Sequence, residues 1–218
     1  MSISEARLEK NKIVEVYSGI APIYDLWGRL TETRARIRSL ELANIKNGEA
    51  ILEVAPGTGM TFQEILKANP DGRNVGVDIT PAMLEKARMK AAKTGSSNYQ
   101  LLIGDAYHLE FPDGEFDLVM NNYMFDLLPE KDFIPVLRQF KRVLKPTGRI
   151  ILINMTKREH FYQRFWETVY QINPAWLGGC RGVLAAQAIH AAGFANLRRE
   201  TISQFGFPSE IISATNKA

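Results

Sequence analysis

Cysteine is nearly absent. Cys180 stands alone among 218 residues, so an internal disulfide is excluded. With no second thiolate and no histidine nearby in sequence, a zinc centre is not expected either. No apolar run approaches the length of a membrane span, and the start Met1-Ser2-Ile3-Ser4-Glu5 lacks the basic-then-apolar pattern of a leader. A cytoplasmic location is therefore expected. Charge of one sign is also missing: 27 Lys and Arg against 24 Asp and Glu leave a net charge of +3, too little to argue for a nucleic-acid partner. There is no internal repeat, low-complexity tract or interdomain linker. A single domain with one core is expected, and 45% hydrophobic and 23% charged residues are ordinary for it.

What the chain does have is Ile51-Leu52-Glu53-Val54-Ala55-Pro56-Gly57-Thr58-Gly59. A short apolar run bounded by turn residues reads as a buried strand, and Phe62 to Asn69 has helical spacing. The glycines between them let backbone approach a ligand. Two further absences narrow that ligand. A dinucleotide fingerprint needs a third glycine where Phe62 stands, and no Gly-Lys-Ser or Gly-Lys-Thr follows. A pyrophosphate or a P-loop nucleotide is disfavoured.

Around this loop, strands and helices alternate. Asn74–Asp78, Tyr99–Ile103, Phe116–Met120 and Arg149–Asn154 read as further strands, with helices starting at Thr80-Pro81 and spanning about 130–144. The predicted fold is α/β, a Rossmann-like doubly wound sheet, mostly parallel, closed by an antiparallel C-terminal strand. Helical patterns over 5–20, stopped by Pro22, and over 31–43 make an N-terminal helical lid of residues 1–47. Residues 48–154 form the cofactor core. Residues 155–218 hold an aromatic insertion, a helix over 183–192 and two final strands, Leu197–Gln204 and Glu210–Ala214.

Three acids close successive strands: Glu53, Asp78 and Asp105. Carboxylates there can accept hydrogen bonds from ribose hydroxyls or an exocyclic amine, or face a cation. With these residues in view, the chain resembles the class I S-adenosylmethionine-dependent methyltransferases over most of 17–154. The resemblance rests on Glu53–Gly59, on Val77-Asp78-Ile79-Thr80-Pro81-Ala82-Met83-Leu84, on Gly104-Asp105-Ala106, on Phe116-Asp117-Leu118-Val119 and on Arg142–Gly148. Tyr17-Ser18-Gly19-Ile20-Ala21-Pro22-Ile23-Tyr24-Asp25 adds likeness to the UbiE-like quinone-biosynthesis branch. The resemblance implies that Asp78 binds both ribose hydroxyls, that Ile79 and Met83 flank the adenine, and that Asp105 with Ala106 meets its amino group. It also places Gly57 and Gly59 against the methionine part and the Asn121 carbonyl on its amino group. Glu53 acts indirectly, and Tyr17 and Tyr24 form an aromatic lid. Ala55 departs from the family's usual glycine.

The acceptor pocket is expected over the carboxyl ends of the strands. Trp27, Met124, Phe125, Phe161 and Tyr162 are the residues expected to face an apolar or aromatic acceptor, and Asp126 is the candidate base. Nucleic-acid or glutamine N-methylating members of the class carry an Asn/Asp-Pro-Pro-Tyr type sequence where this chain has Asn121-Asn122-Tyr123-Met124. Methyl transfer to carbon or oxygen of a quinone-like small molecule is therefore the leading expectation. N-methylation of a phospholipid, with a transient membrane contact, is a second, and a catalytically silent S-adenosylmethionine-binding partner subunit is a third. Arg34, Arg36 and Arg38 read as a solvated helix face; His108 and His190 read as structural, and His160, next to Phe161 and Tyr162, as a candidate for the substrate side.

Overall fold

The computed structural model describes residues 10–156 and 180–217. Five parallel strands, β1 (Ala50–Val54), β2 (Arg73–Asp78), β3 (Tyr99–Ile103), β4 (Phe116–Asn122) and β5 (Leu144–Met155), continue into a hairpin of β6 (Phe194–Gln204) and β7 (Phe207–Asn216). The sheet order is β3-β2-β1-β4-β5-β7-β6, and β7 alone runs against its neighbours. The helices are α1 (Lys10–Thr31), α2 (Thr33–Ala43), α3 (Met60–Ala68), α4 (Pro81–Ala92), α5 (Phe133–Val143) and α6 (Ala186–Ala191). The expected doubly wound sheet with its opposed C-terminal strand is the observed one.

Alternation along the central strands explains why both faces are apolar. Leu52, Val119, Ile150 and Leu152 point into a core shared with Phe133, Val136, Phe140 and Ile189. Their neighbours Ile51, Leu118, Met120, Ile151 and Ile153 point to the other face, packed with Ala35 and Ala43 of α2. A parallel sheet covered on both sides needs such near-continuous apolar runs. Glu53 shares the parity of Ile51, which carries its carboxyl to the α2 side. Because strand order reverses between β1 and β4, the loops after them diverge and leave a crevice at their carboxyl ends.

Four boundaries differ from the sequence expectation. α1 does not stop at Pro22 but runs on to Thr31, across the gap between the two expected helices. An interior proline removes one backbone hydrogen bond at a cost of about 3 kcal/mol, a cost that tertiary anchoring of the helix downstream offsets. β5 begins at Leu144 rather than Arg149: the pairs Phe116–Leu144 and Leu118–Arg149 bracket Lys145–Gly148, which form a bulge within the strand. The helix expected over 183–192 is confined to Ala186–Ala191. The final strands are longer than expected, because Gln204 already pairs with Phe207 and the turn is only Phe205-Gly206.

Candidate active site

The loop after β1 begins with backbone strain. Ala55 has φ +56°, and its N–H donates to the Val77 carbonyl at 2.7 Å, so β1 makes one more bond to β2 before turning away. Gly57 follows at φ +56°, where a Cβ would meet nothing within 4 Å. At Gly59 a Cβ would lie 2.8 Å from the Ala87 Cα, so this glycine lets the start of α3 press on α4. Phe62, in place of a third glycine, is buried and stacks edge-on to Tyr99. It packs against β2 at Gly76, where a Cβ would meet Leu101 Cδ2 at 2.5 Å and the Phe62 ring at 3.3 Å.

Asp78 ends β2 and shapes that loop. Its Oδ2 accepts from the Gly57 N–H at 2.9 Å and its Oδ1 from the Thr80 N–H at 2.9 Å. Burial pushes the carboxyl above its usual range, while the N–H groups of Thr80 and Gly57 pull it back. The Thr80 hydroxyl and the Ile79 N–H act on the same carboxylate and favour its ionised form. A cleft opens beside it, lined by Tyr17, Ala55, Gly57, Asp78, Ile79, Met83, Asp105 and Ala106, together with Asn122, Tyr123, Met124, Leu127 and Leu128. The loops after β1, β2, β3 and β4 thus meet in one place.

A smaller polar recess adjoins the cleft, sharing Ala55, Gly57, Asn122 and Tyr123 and adding Glu32, Arg36, Glu53 and Thr61. Glu53 is fully buried. Its Oε1 accepts from Asn122 Nδ2 at 3.0 Å, and its Oε2 has no hydrogen-bond partner. Burial lifts this carboxyl to about 8, against the pull of Asn122 and Arg36. Arg36 is not on a solvated face: its guanidinium lies 3.8 Å from Glu32 and 3.5 Å from the Met60 sulfur, with only 12% of the side chain exposed. Arg38, by contrast, pairs outward with Glu41 and Glu200. Packing Ala35 and Ser39 of α2 against the sheet turns Arg36 inward.

The helix α1 is tied over this site by Asp25. Its carboxylate accepts from Thr58 Oγ1 at 2.6 Å and from Lys90 Nζ at 2.7 Å, while Lys90 also donates to the Thr58 carbonyl at 2.9 Å. Burial opposes ionisation of Asp25, but Lys90 and Thr58 outweigh it and hold the carboxyl below its usual range. Tyr17, on the same helix, lines the cleft, with its hydroxyl 3.7 Å from Cys180 Sγ.

Some expected residues are elsewhere. Asp126 does not reach the cleft: it is fully buried and accepts from the Met155 N–H at 3.0 Å, and burial lifts it to about 7. Phe125 turns into the core against Phe133 and Phe140, because consecutive residues after Tyr123 face opposite ways. Trp27 packs edge-on against Phe207 rather than on the cleft wall. The Asn121 side chain donates to the Val54 carbonyl within the sheet and the Asn122 side chain takes the cleft side, so a contact from Asn121 to the cofactor is left to its main-chain carbonyl. Gly59 supports the loop from behind, and Glu53 lines the polar recess. Tyr24 lies on α1 with its side chain outside the described residues, as do Phe161, Tyr162 and His160 altogether. Sequence reasoning gave no role to Tyr107, Tyr123, Leu127 or Leu128, all on the cleft wall. For Tyr123 the only signal was its place directly after the strand.

Comparison with known proteins fits this geometry. A family described as a methyltransferase domain matches residues 51–148, from β1 to the bulge of β5. The chain carries a class I methyltransferase domain of the S-adenosylmethionine-dependent kind. The demethylmenaquinone methyltransferase of Lactococcus lactis subsp. lactis is 30% identical over 155 residues, covering 69% of this chain and 61% of that protein. The arsenite methyltransferase of Halobacterium salinarum is 33% identical over 134 residues, covering 61% of this chain and 32% of that one. The chain thus spans less than two thirds of the length of these relatives. Among solved structures, the [4+2]-cyclase SpnF superposes with a TM-score of 0.79 at 16% identity, covering 100% of both chains. That likeness concerns the fold alone. A methyltransferase domain is therefore established by sequence, while the acceptor must be argued from the site.

Proposed function

We propose that the chain methylates carbon or oxygen of an apolar or aromatic small molecule, quinone-like in character. The observation that carries this reading is the wall of the cleft. Beyond the glycine loop it is built from Tyr17, Tyr123, Met124, Leu127 and Leu128, and no lysine, arginine or histidine lines it among the described residues. A phosphorylated or otherwise anionic acceptor would find no partner there. The single cysteine, buried beneath Tyr17, argues against a soft oxyanion such as arsenite, which favours several thiolates.

S-adenosylmethionine would supply the sulfonium-bound methyl group as the electrophile. The residues present suit it. Asp78 lines the cleft as the acceptor for ribose hydroxyls, Ile79 and Met83 offer apolar faces to an adenine, and Asp105 with Ala106 closes that end. Gly57 leaves open space beside the loop. The partnerless Oε2 of Glu53 and the inward Arg36 form a recess of mixed charge, suited to the ammonium and carboxylate of an amino acid.

The protein's part is then to hold the acceptor, align it and exclude water, which α1 does as a cover tied through Asp25. A general base is not needed where the acceptor is acidic enough to ionise itself. Asp126 suits a positioning part, bracing the loop after β4 against the end of β5.

Incubation with methyl-labelled S-adenosylmethionine and separated extract fractions tests the proposal. Label is expected in reduced quinones or related phenols, with a rate that rises with pH as the acceptor ionises. Label in polar lipids would replace this reading with phospholipid N-methylation. Binding of the cofactor with no labelled product in any fraction would point to a silent partner subunit.

A further inference from the structure

The tip of the β6–β7 hairpin holds an oddity that the cleft does not explain. Phe205 and Gly206 both have positive φ, +49° and +78°, and Gln204 pairs with Phe207 across them. Two left-handed residues in a two-residue turn are the type I′ pattern, which favours asparagine, aspartate or glycine at the first place. A phenylalanine there is strained, and it gains no packing in return, being 80% exposed. Strain without a folding benefit points to a use outside the fold.

Its surroundings suggest what that use is. The Gln204 side chain fixes the tip to the corner between α1 and α2, donating to the carbonyls of Arg29 and Leu30 at 3.0 and 2.8 Å and accepting from the Arg34 N–H at 2.8 Å. That corner exposes Leu26 and Leu30, at 64% and 50%, together with the exposed Arg29 and Arg34. Of the nearby acids, Asp25 pairs with Lys90 while also feeling the charge of Arg29, Glu32 is buried beside Arg36, and Glu200 pairs with Arg38. β6 runs in the same direction as β1 to β5, so its tip emerges at the end of the sheet where the cleft opens.

We propose that Phe205, Leu26 and Leu30, flanked by Arg29 and Arg34, form a surface that rests on an anionic lipid bilayer. Apolar side chains beside exposed cations match an interface of acyl chains under negative headgroups. Among the described residues no helix is long and apolar enough to cross a membrane, so this contact is peripheral. The inference deepens the proposed function, because an apolar acceptor partitions into the same bilayer, but the binding itself does not depend on methyl transfer.

The test is co-sedimentation of the full chain with vesicles of phosphatidylcholine, with and without phosphatidylglycerol. Partition is expected onto the phosphatidylglycerol vesicles and should weaken with salt. Phe205→Asn, which suits the left-handed turn, should lower partition roughly tenfold while the melting temperature holds or rises. Arg29→Gln with Arg34→Gln should lower it roughly thirtyfold on anionic vesicles only. Partition no better than onto phosphatidylcholine, or equal binding by Phe205→Asn, overturns the proposal. So does a dimer in sedimentation that Phe205→Asn dissociates, since the surface would then serve a second copy. Titration of S-adenosylmethionine into the same variants reads the cofactor site separately: loss of that signal counts against the proposed function and leaves the lipid surface standing.

Discussion

The ends of β1 and β4 are neighbours in the sheet, and their backbones solve the same problem in the same way. Each strand passes into a non-glycine residue at positive φ, Ala55 at +56° and Tyr123 at +54°. Each of those residues donates its N–H to the next strand, to Val77 and to Ile153, in both cases at 2.7 Å. The side chains then diverge. After Ala55 come Pro56 and Gly57, and the backbone lies open to the cleft. After Tyr123 comes Met124, and the cleft meets side chains. Small residues make the first loop a surface for backbone contact; large ones make the second a wall. Glu53 and Asn122 join the two, through a 3.0 Å hydrogen bond.

This contrast can be broken at four places. Asp78→Ala removes the carboxylate that accepts from the Gly57 and Thr80 N–H groups. Calorimetry should show the affinity for S-adenosylmethionine falling roughly 100-fold, about 3 kcal/mol, the loss of two charge-assisted hydrogen bonds. Unchanged binding would mean that the first loop is not the cofactor's.

Glu53→Gln probes the link between the loops. Since burial raises the folded carboxyl to about 8, the wild-type protein is most stable below about pH 4.5 on account of this group and loses that stability as pH rises to about 8. The glutamine variant keeps the neutral form, so denaturant unfolding should show it more stable at pH 8, on the order of 2 kcal/mol, and level with wild type at pH 5. If the Glu53 carboxylate serves an ammonium, cofactor affinity should rise with pH in the wild type and stay flat in the variant.

Tyr123→Phe should act on the second loop alone. It deletes the buried hydrogen bond to Ser209 Oγ at 2.7 Å, and unfolding should register a loss of about 1–2 kcal/mol while cofactor affinity holds. The smallest effect is expected from Ala55→Gly. Relief of the left-handed strain is offset by a more flexible unfolded chain, so stability should change by less than about 1 kcal/mol. A large loss in that variant would show that the Ala55 methyl is packed rather than merely tolerated.

Legibility from sequence followed how local each cause is. The strand, the loop and Asp78 could be read because turn residues and apolar runs act within a few positions. Facing was harder. Asn121 and Asn122 differ only in strand parity, and the left-handed Tyr123 resets that parity so that Met124 reaches the cleft while Phe125 enters the core. Arg36 could not be told from Arg34 and Arg38, because its inward turn is decided by what α2 packs upon. α1 outlasted Pro22 for a similar reason: propensity is local, and the anchor at Asp25 joins Thr58 and Lys90, 33 and 65 residues further along.

Phe62 and Gly76 hold the bulk of one contact between them, with the ring on α3 and the gap on β2. Ligand class and core architecture are therefore a single decision in this chain. A glycine at 62 would leave a hollow against Tyr99 and Gly76 instead of a cradle for a pyrophosphate, while Gly76 is held chiefly by Leu101, whose Cδ2 a Cβ there would meet at 2.5 Å. A change of ligand at this loop would therefore be felt first as lost packing beneath it, a cost that falls on the fold before any ligand is met.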